Sequence, residues 1–421
     1  MSRAMLVVLI ALAACEAAPR AEIGGFPSYP PNLGPPPGWT GPVFSLSQDF
    51  PDSLVTGDSM PWLAYDFRTQ PQDYLLALRS YVYAGNIDRG TDAHGNSLDW
   101  QVQTNPVRRW YHMPWRHYGP HGREFVHGLT MEFPSRPASL DPTQRAWHYT
   151  WAVAMYNPTA GYRVGRVWPD GAGPPNMSGV LIPEGAVIAK LLFTTADSTD
   201  VPEVEGTLVW QANIYADTTC DTIPCAHAVQ PVHLFQMDVA VKDSRAPVTQ
   251  WVFGTFVYDR TAPGSTVWEK MVPLGLMWGN DPALTAAQPD SQPHESIILR
   301  VGTYQHLGCH KRLSGPVDNP GSSCMSCHMS AQWPGASPVP SSKYACDAPG
   351  NAAHWANLPP GQVFQPSGDS TFALDYSMEM ASAVQNYWMS RGPTTVVRPG
   401  VVKIGSDPRE HHLVVRDART Y

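Results

Sequence analysis

Val232-His233-Leu234-Phe235-Gln236-Met237-Asp238-Val239-Ala240-Val241, followed after a turn by Trp251-Val252-Phe253-Gly254-Thr255-Phe256-Val257-Tyr258, decides the fold class. Phe235, Met237, Val239 and Val241 alternate with other residues, as do Trp251, Phe253, Thr255 and Val257. Successive strand side chains point to opposite faces, so this period marks strands with one buried face. Working outward, Trp147 to Tyr156, Val187 to Phe193 and Thr207 to Ile214 are further β-favouring runs. Turn residues separate them at Pro183-Glu184-Gly185, Asp243-Ser244 and Ala262-Pro263-Gly264. Strands do not alternate with helical segments in the βαβ manner. The expected fold is therefore mainly β, an antiparallel sheet or sandwich with a few helices. Two helices are expected. Pro71 to Ala84 places Tyr74, Leu75, Leu78 and Val82 on one face, and Leu374 to Met389 does the same with Leu374, Met378, Ala381 and Trp388.

Composition agrees with that class. Charged residues are 15% of the chain, while 43 prolines, 34 glycines and 15 tryptophans suit a loop-rich β protein. A net charge of -8 gives no footprint for nucleic acid. The N-terminus reads as an export signal: Arg3 is basic, Leu6 to Ala11 is apolar, and Leu12-Ala13-Ala14-Cys15 follows. That tetrapeptide resembles the lipobox of bacterial lipoproteins, in which Cys15 becomes a lipidated N-terminus. With Glu16 next, it implies a lipid anchor in the cell envelope, at the outer membrane, facing the periplasm or the exterior. Five segments are expected: a signal peptide over 1–15, a Pro-rich tether over 16–43, an N-terminal extension over 44–160, an antiparallel β body over 161–300, and a C-terminal region over 301–421. The extension carries an aromatic and histidine-rich stretch with His112, His117, His121 and His127. These imidazoles fit no metal spacing and read as an irregular packed layer or, alternatively, as supplying a residue that reaches a ligand. Arg123 and Glu124 read as an ion pair or as polar groups aimed at a ligand.

The C-terminal third holds Cys324-Met325-Ser326-Cys327-His328. C-x-x-C-H is the attachment pattern of a c-type haem. Two thiols add to the vinyl groups and the adjacent imidazole becomes the proximal iron ligand. The alternatives are half of a zinc site, which wants a second C-x-x-C or a spaced His pair, or a redox C-x-x-C early in a βαβ unit. Neither context is present. The expectation is one haem c on Cys324 and Cys327, with His328 on the iron. Of the remaining cysteines, Cys220 is paired with Cys225 and Cys309 with Cys346, as disulfides suited to an oxidising compartment. The distal ligand stays open among Met378, Met380 and Met389 on the second helix and His306, His310 and His354 nearer the motif, with Met378 as the named candidate.

Three pieces in order carry a family resemblance. Gly161-Tyr162-Arg163-Val164-Gly165 is followed by Ile182-Pro183-Glu184-Gly185-Ala186-Val187-Ile188-Ala189-Lys190, then by Trp251-Val252-Phe253-Gly254-Thr255-Phe256 and the haem motif. The order resembles the β-sheet monohaem cytochromes, namely cytochromes c-prime-beta and relatives that oxidise hydroxylamine with a lysine cross-linked to the haem. The resemblance implies an antiparallel β fold, a proximal His328, an open distal position, and Lys190 at the cross-linking place. On its own residues, Lys190 reads first as a strand lysine whose amine reaches solvent. The chain departs from the family pattern, because residues 329–421 follow the haem motif and a long extension precedes the sheet. The expected function is a membrane-anchored monohaem cytochrome passing single electrons to a redox partner protein in the envelope. The alternative is a haem enzyme or sensor for NO, hydroxylamine or peroxide.

Overall fold

The computed structural model describes Phe26 and residues 34–55, 57–86, 102, 105–116, 122–171, 173–178, 180–216, 226–288, 291–300, 307–335, 337–341, 345–366 and 371–391. Its centre is one antiparallel sheet of β1 (Thr130–Met131), β2 (Thr150–Tyr156), β3 (Val187–Thr194), β4 (Val209–Tyr215), β5 (His227–Lys242), β6 (Trp251–Tyr258), β7 (Met271–Met277) and β8 (Ser296–Ile298). Strands run in the order β1-β2-β3-β5-β6-β7-β8, and β4 pairs with β5. The 16-residue β5 holds this together. Its first half pairs with β4, its second half with β6, and β3 runs along its other edge. The fold is mainly β and antiparallel, as the alternation predicts.

Register sorts the side chains onto two faces. On one face, Trp151, Val153 and Met155 of β2, Ala189 and Leu191 of β3, Met237 and Val239 of β5 and Val252 of β6 join one apolar cluster. Helix α1 (Pro71–Tyr83) covers it with Tyr74, Leu75, Leu78, Tyr81 and Val82. Burying such a side chain stabilises by about 1.5–3 kcal/mol each, so this face carries much of the fold's driving force. Contact is close enough that a Cβ on Gly254 would lie 2.4 Å from Leu75 Cδ2. The opposite face presents two cross-strand rows, Ala154–Lys190–Asp238–Thr255 and Tyr156–Ile188–Ala240–Phe253. The C-terminal segment packs against that face: α3 (Cys324–His328), β9 (Gln332–Trp333), α4 (Pro349–Ala352), β10 (Phe372–Ala373) and α5 (Met378–Ser390). β9 and β10 form a separate two-stranded sheet.

Several expectations are corrected here. The boundary at 160/161 falls inside α2 (Pro158–Val167), which Asn157 caps by accepting from Ala160 N, with Pro158 at the first turn. Because β1 and β2 pair into the same sheet as β3, the N-terminal extension and the β body are not separable. Part of the expected tether is packed: Phe26 is buried beside Phe50, and Trp39 meets Phe125 edge-on at 5.2 Å. The second helix starts at Met378 rather than Leu374. Asp375 and Tyr376 have φ of +45° and +66°, which no right-handed helix accommodates, and Ser377 caps it by accepting from Met380 N. Strand β7 escapes sequence reading because it contains Pro273, which cannot donate to a ladder; it pairs beside a bulge at Thr255/Phe256. Cys15, Cys220, Cys225, His117, His121 and His306 lie outside the described residues.

Candidate functional site

Between the two cross-strand rows of the sheet and the C-terminal segment lies a cavity of about 250 Å³ that opens to solvent. Cys324, Cys327 and His328 line it from one side. Lys190, Asp238, Phe253, Thr255 and Tyr156 line it from the sheet, and Met378 and Glu379 from the start of α5.

The C-x-x-C-H segment forms the short helix α3 behind a reciprocal cap at its N-terminus. Ser323 Oγ accepts from Ser326 N at 3.1 Å, and Ser326 Oγ accepts from Ser323 N at 2.8 Å. Asn280 accepts from Ser323 Oγ at 3.1 Å and donates to Ala356 O and towards Met329 Sδ, which fixes the helix to neighbouring loops. Met325 is fully buried beneath it. One turn of helix brings the two thiols to the same wall of the cavity. They are not bonded to each other. Burial pushes both thiols up, Cys327 to about 11, so they stay protonated at neutral pH.

His328 is held by its inner nitrogen. Nδ1 donates to the Tyr376 carbonyl at 2.8 Å, and the Phe253 ring lies 4.8 Å from the imidazole. Among the described residues Nε2 makes no hydrogen bond, so its lone pair is the one offered to a ligand. Burial lowers the imidazole's pKa to about 4, leaving it neutral as a metal ligand must be. The residues therefore fit a c-type haem: two free thiols and a neutral, oriented imidazole on one wall, and Phe253, Ile188, Ala154 and Trp333 as apolar surface for a flat ring. Among the described residues no cluster of three or more His, Cys, Asp or Glu could hold a bare metal ion.

The sheet wall is charged. Lys190 Nζ pairs with Glu132 at 3.0 Å. Its side chain is 31% exposed, and that surface opens onto the cavity. Burial disfavours the ammonium, but Glu132 and Asp318 more than offset this and its pKa stands above the ordinary value. Asp238, opposite Lys190 on β5, accepts from Thr255 Oγ1 at 2.8 Å and from Gln236 Nε2 at 2.9 Å. Gln236 also reaches Asp318 Oδ2 at 3.0 Å. Burial, with the Asp318 carboxylate, pushes the Asp238 carboxyl up to about 8. Thr255 Oγ1 is 3.9 Å from Cys324 Sγ, so this polar group touches the attachment helix.

The other candidates are dispersed. Met378 lines the cavity, with Sδ 3.9 Å from Ser330 Oγ just beyond α3. Met380 is buried away from the cavity and Met389 is 54% exposed. His310 pairs with Asp347, and His354 contacts the Ser326 carbonyl. His112 is buried and accepts from Ser47 N, and His127 stacks on Trp210 at 4.2 Å. Arg123 and Glu124 do not pair. Arg123 meets Glu379 and Gly128 O, whereas the Glu124 carboxylate accepts from Val126, His127, Leu129 and Asn213 backbone. Cys309 and Cys346 are disulfide-bonded across 37 residues, bracketing the motif. Sequence reasoning missed Tyr376, Asp238, Asp318 and Glu132. Asp238 carried a signal, because Gln236 and Asp238 are the polar positions that alternate with Phe235, Met237 and Val239.

The fold and cavity define a mainly antiparallel β protein with a C-x-x-C-H helix packed over one sheet face. Comparison with known proteins returned no matching family model, no matching curated protein and no matching solved structure. No helix among the described residues is long and apolar enough to cross a membrane.

Proposed function

We propose that this chain is a c-type monohaem cytochrome, anchored in a bacterial cell envelope through Cys15, that carries single electrons to and from a partner protein. The observation that carries the reading is one cavity wall bearing two unbonded cysteines and a neutral imidazole with a free Nε2. When bound, the haem supplies a one-electron couple. The protein's own part is to hold and tune. Cys324 and Cys327 would attach the haem, the Tyr376 carbonyl fixes the His328 tautomer, and Phe253 with Trp333 would supply apolar surface that excludes water. Expression in an exporting host with c-type maturation should give one covalent haem per chain, retained on a denaturing gel. Cys324→Ala with Cys327→Ala should abolish that retention, and retention by the double variant would overturn the reading.

A second reading, binding of a small nitrogen or oxygen species, is favoured by the opposite wall. Among the described lining residues, Met378 is the sole thioether and His328 the sole imidazole. Met378 lies against Ser330, on the side that holds His328, which argues against it as a distal ligand. Lys190 remains a candidate to contact the haem, as an ion-paired amine rather than a free nucleophile. A reduced protein whose spectrum changes on adding CO supports this second reading; a low-spin spectrum indifferent to CO supports simple electron transfer.

A further inference from the structure

Leu374-Asp375-Tyr376-Ser377 joins β10 to α5, and two consecutive residues in it adopt left-handed backbone, Asp375 at φ +45° and Tyr376 at φ +66°. Neither is glycine, and a side-chain-bearing residue rarely takes this conformation unless its surroundings impose it. The surroundings are unusually specific. The Asp375 carboxylate, fully buried, accepts Lys242 Nζ at 2.9 Å on both oxygens. It also accepts Trp251 Nε1 at 2.9 Å on Oδ1 and the Ile182 backbone N–H at 2.7 Å on Oδ2. These donors come from the end of β5, the start of β6 and the loop before β3. The next residue delivers the carbonyl that His328 Nδ1 meets at 2.8 Å. Its phenol donates to Leu358 O at 2.6 Å, which fixes the other end of the same residue.

We infer that Asp375 is the positioning residue for the proximal histidine: its buried contacts with Lys242, Trp251 and Ile182 force the left-handed turn that aims the Tyr376 carbonyl at His328 Nδ1. The inference rests on the haem reading for its functional consequence, though the clamp stands on geometry alone. A hydrogen bond at Nδ1 selects the tautomer whose Nε2 can bind iron and makes the imidazole a stronger donor. Sheet packing thereby sets ligand strength at a site on a different segment of the chain. The Lys242–Asp375 pair spans 133 residues of sequence and joins the sheet to the histidine's acceptor.

The test uses the full, haem-loaded chain with Asp375→Asn, which keeps the size and tolerates left-handed backbone, and Trp251→Phe, which removes one donor and leaves the charge pair. Redox titration reads the midpoint potential in any ligation state, and resonance Raman reads the iron–histidine stretch where the ferrous iron is five-coordinate. Covalent haem should remain in both variants. The stretch should fall in frequency and the potential should rise, more for Asp375→Asn than for Trp251→Phe. A purely structural role would lower the melting temperature and move neither readout. Folded, loaded variants with the parent's stretch and potential overturn the inference. Should Asp375→Asn not fold, Trp251→Phe decides by the same criterion. Absence of covalent haem in the parent would refute the haem reading instead. The clamp is then judged by ¹⁵N NMR of His328 in the Cys324→Ala, Cys327→Ala chain. A parent imidazole held as the Nδ1–H tautomer that becomes mixed on adding Trp251→Phe supports it, and an unchanged tautomer overturns it.

Discussion

Lys190 and Asp238 face each other on neighbouring strands and, with Glu132 and Asp318, make this wall of the cavity polar. One ammonium shares the space with three carboxyls, those of Glu132, Asp238 and Asp318. Glu132 takes the ion pair, so Asp238 is left with neutral donors, Thr255 and Gln236, and with Asp318 as a like charge. Burial then favours its protonated form up to about pH 8. An unfolded aspartate titrates near 3.9, so from about pH 4 to pH 8 the folded chain holds a proton that the unfolded chain has lost. Stability from this group therefore falls as pH rises through that window and levels above it. Asp238→Asn removes the slope. Urea unfolding should show the variant gaining on the parent between pH 5 and pH 9, and a constant difference across that range would contradict the assignment. Lys190 was legible in sequence as a lone charge in a β-favouring run. Its partner Glu132 was not, because it follows a two-residue strand with no period to read.

At the scale of elements, what could be read depended on whether a local period existed. β3, β5, β6 and α1 are each long enough for alternation or a helical stripe to show, and their bounds follow the sequence within a few residues. α2 carries Gly161 and Gly165 and was not taken as a helix, although Asn157-Pro158 is a strong start signal; Gly161 sits against the Tyr111 ring, which explains why a side chain is missing there. The Asp375–Tyr376 turn had no sequence mark at all, since its positive φ values are imposed by donors from other strands. The approach of α1 to β6 supplies a test that separates the sheet's two faces. Gly254→Ala places a methyl 2.4 Å from Leu75 Cδ2 and 3.1 Å from Val239 Cγ2, on the face away from the cavity. Overpacking of this kind costs about 1–3 kcal/mol. Denaturation should show a loss of that order while the absorption spectrum of the loaded protein stays the same. A spectral change without loss of stability would mean that α1 and the cavity are not separated by the sheet as described.

Across the whole molecule, the sheet is a partition. One face is sealed by α1 and a wide aromatic core, and the other bears a cavity whose far wall, apart from α5, is built from segments with little regular structure of their own. That part of the wall, made of a five-residue helix, two-residue strands and turns, gains little from local hydrogen bonding and relies on cross-links to the rest. The Cys309–Cys346 disulfide is the covalent one. It closes 37 residues that include the attachment helix. In the chain-entropy account, a loop of this length stabilises by about 4 kcal/mol by restricting the unfolded state. Cys309→Ala with Cys346→Ala removes it without leaving a thiol to mispair with Cys324 or Cys327. The expected result is a loss of up to about 4 kcal/mol in denaturant unfolding, with the parent under reducing conditions falling to the same midpoint. Limited proteolysis should then cut first between residues 307 and 346, because the sheet keeps its own core when the far wall loosens. Equal midpoints for the oxidised parent and the double variant would show that this wall is held by packing alone, and that the disulfide contributes nothing to keeping His328 in reach of the Tyr376 carbonyl.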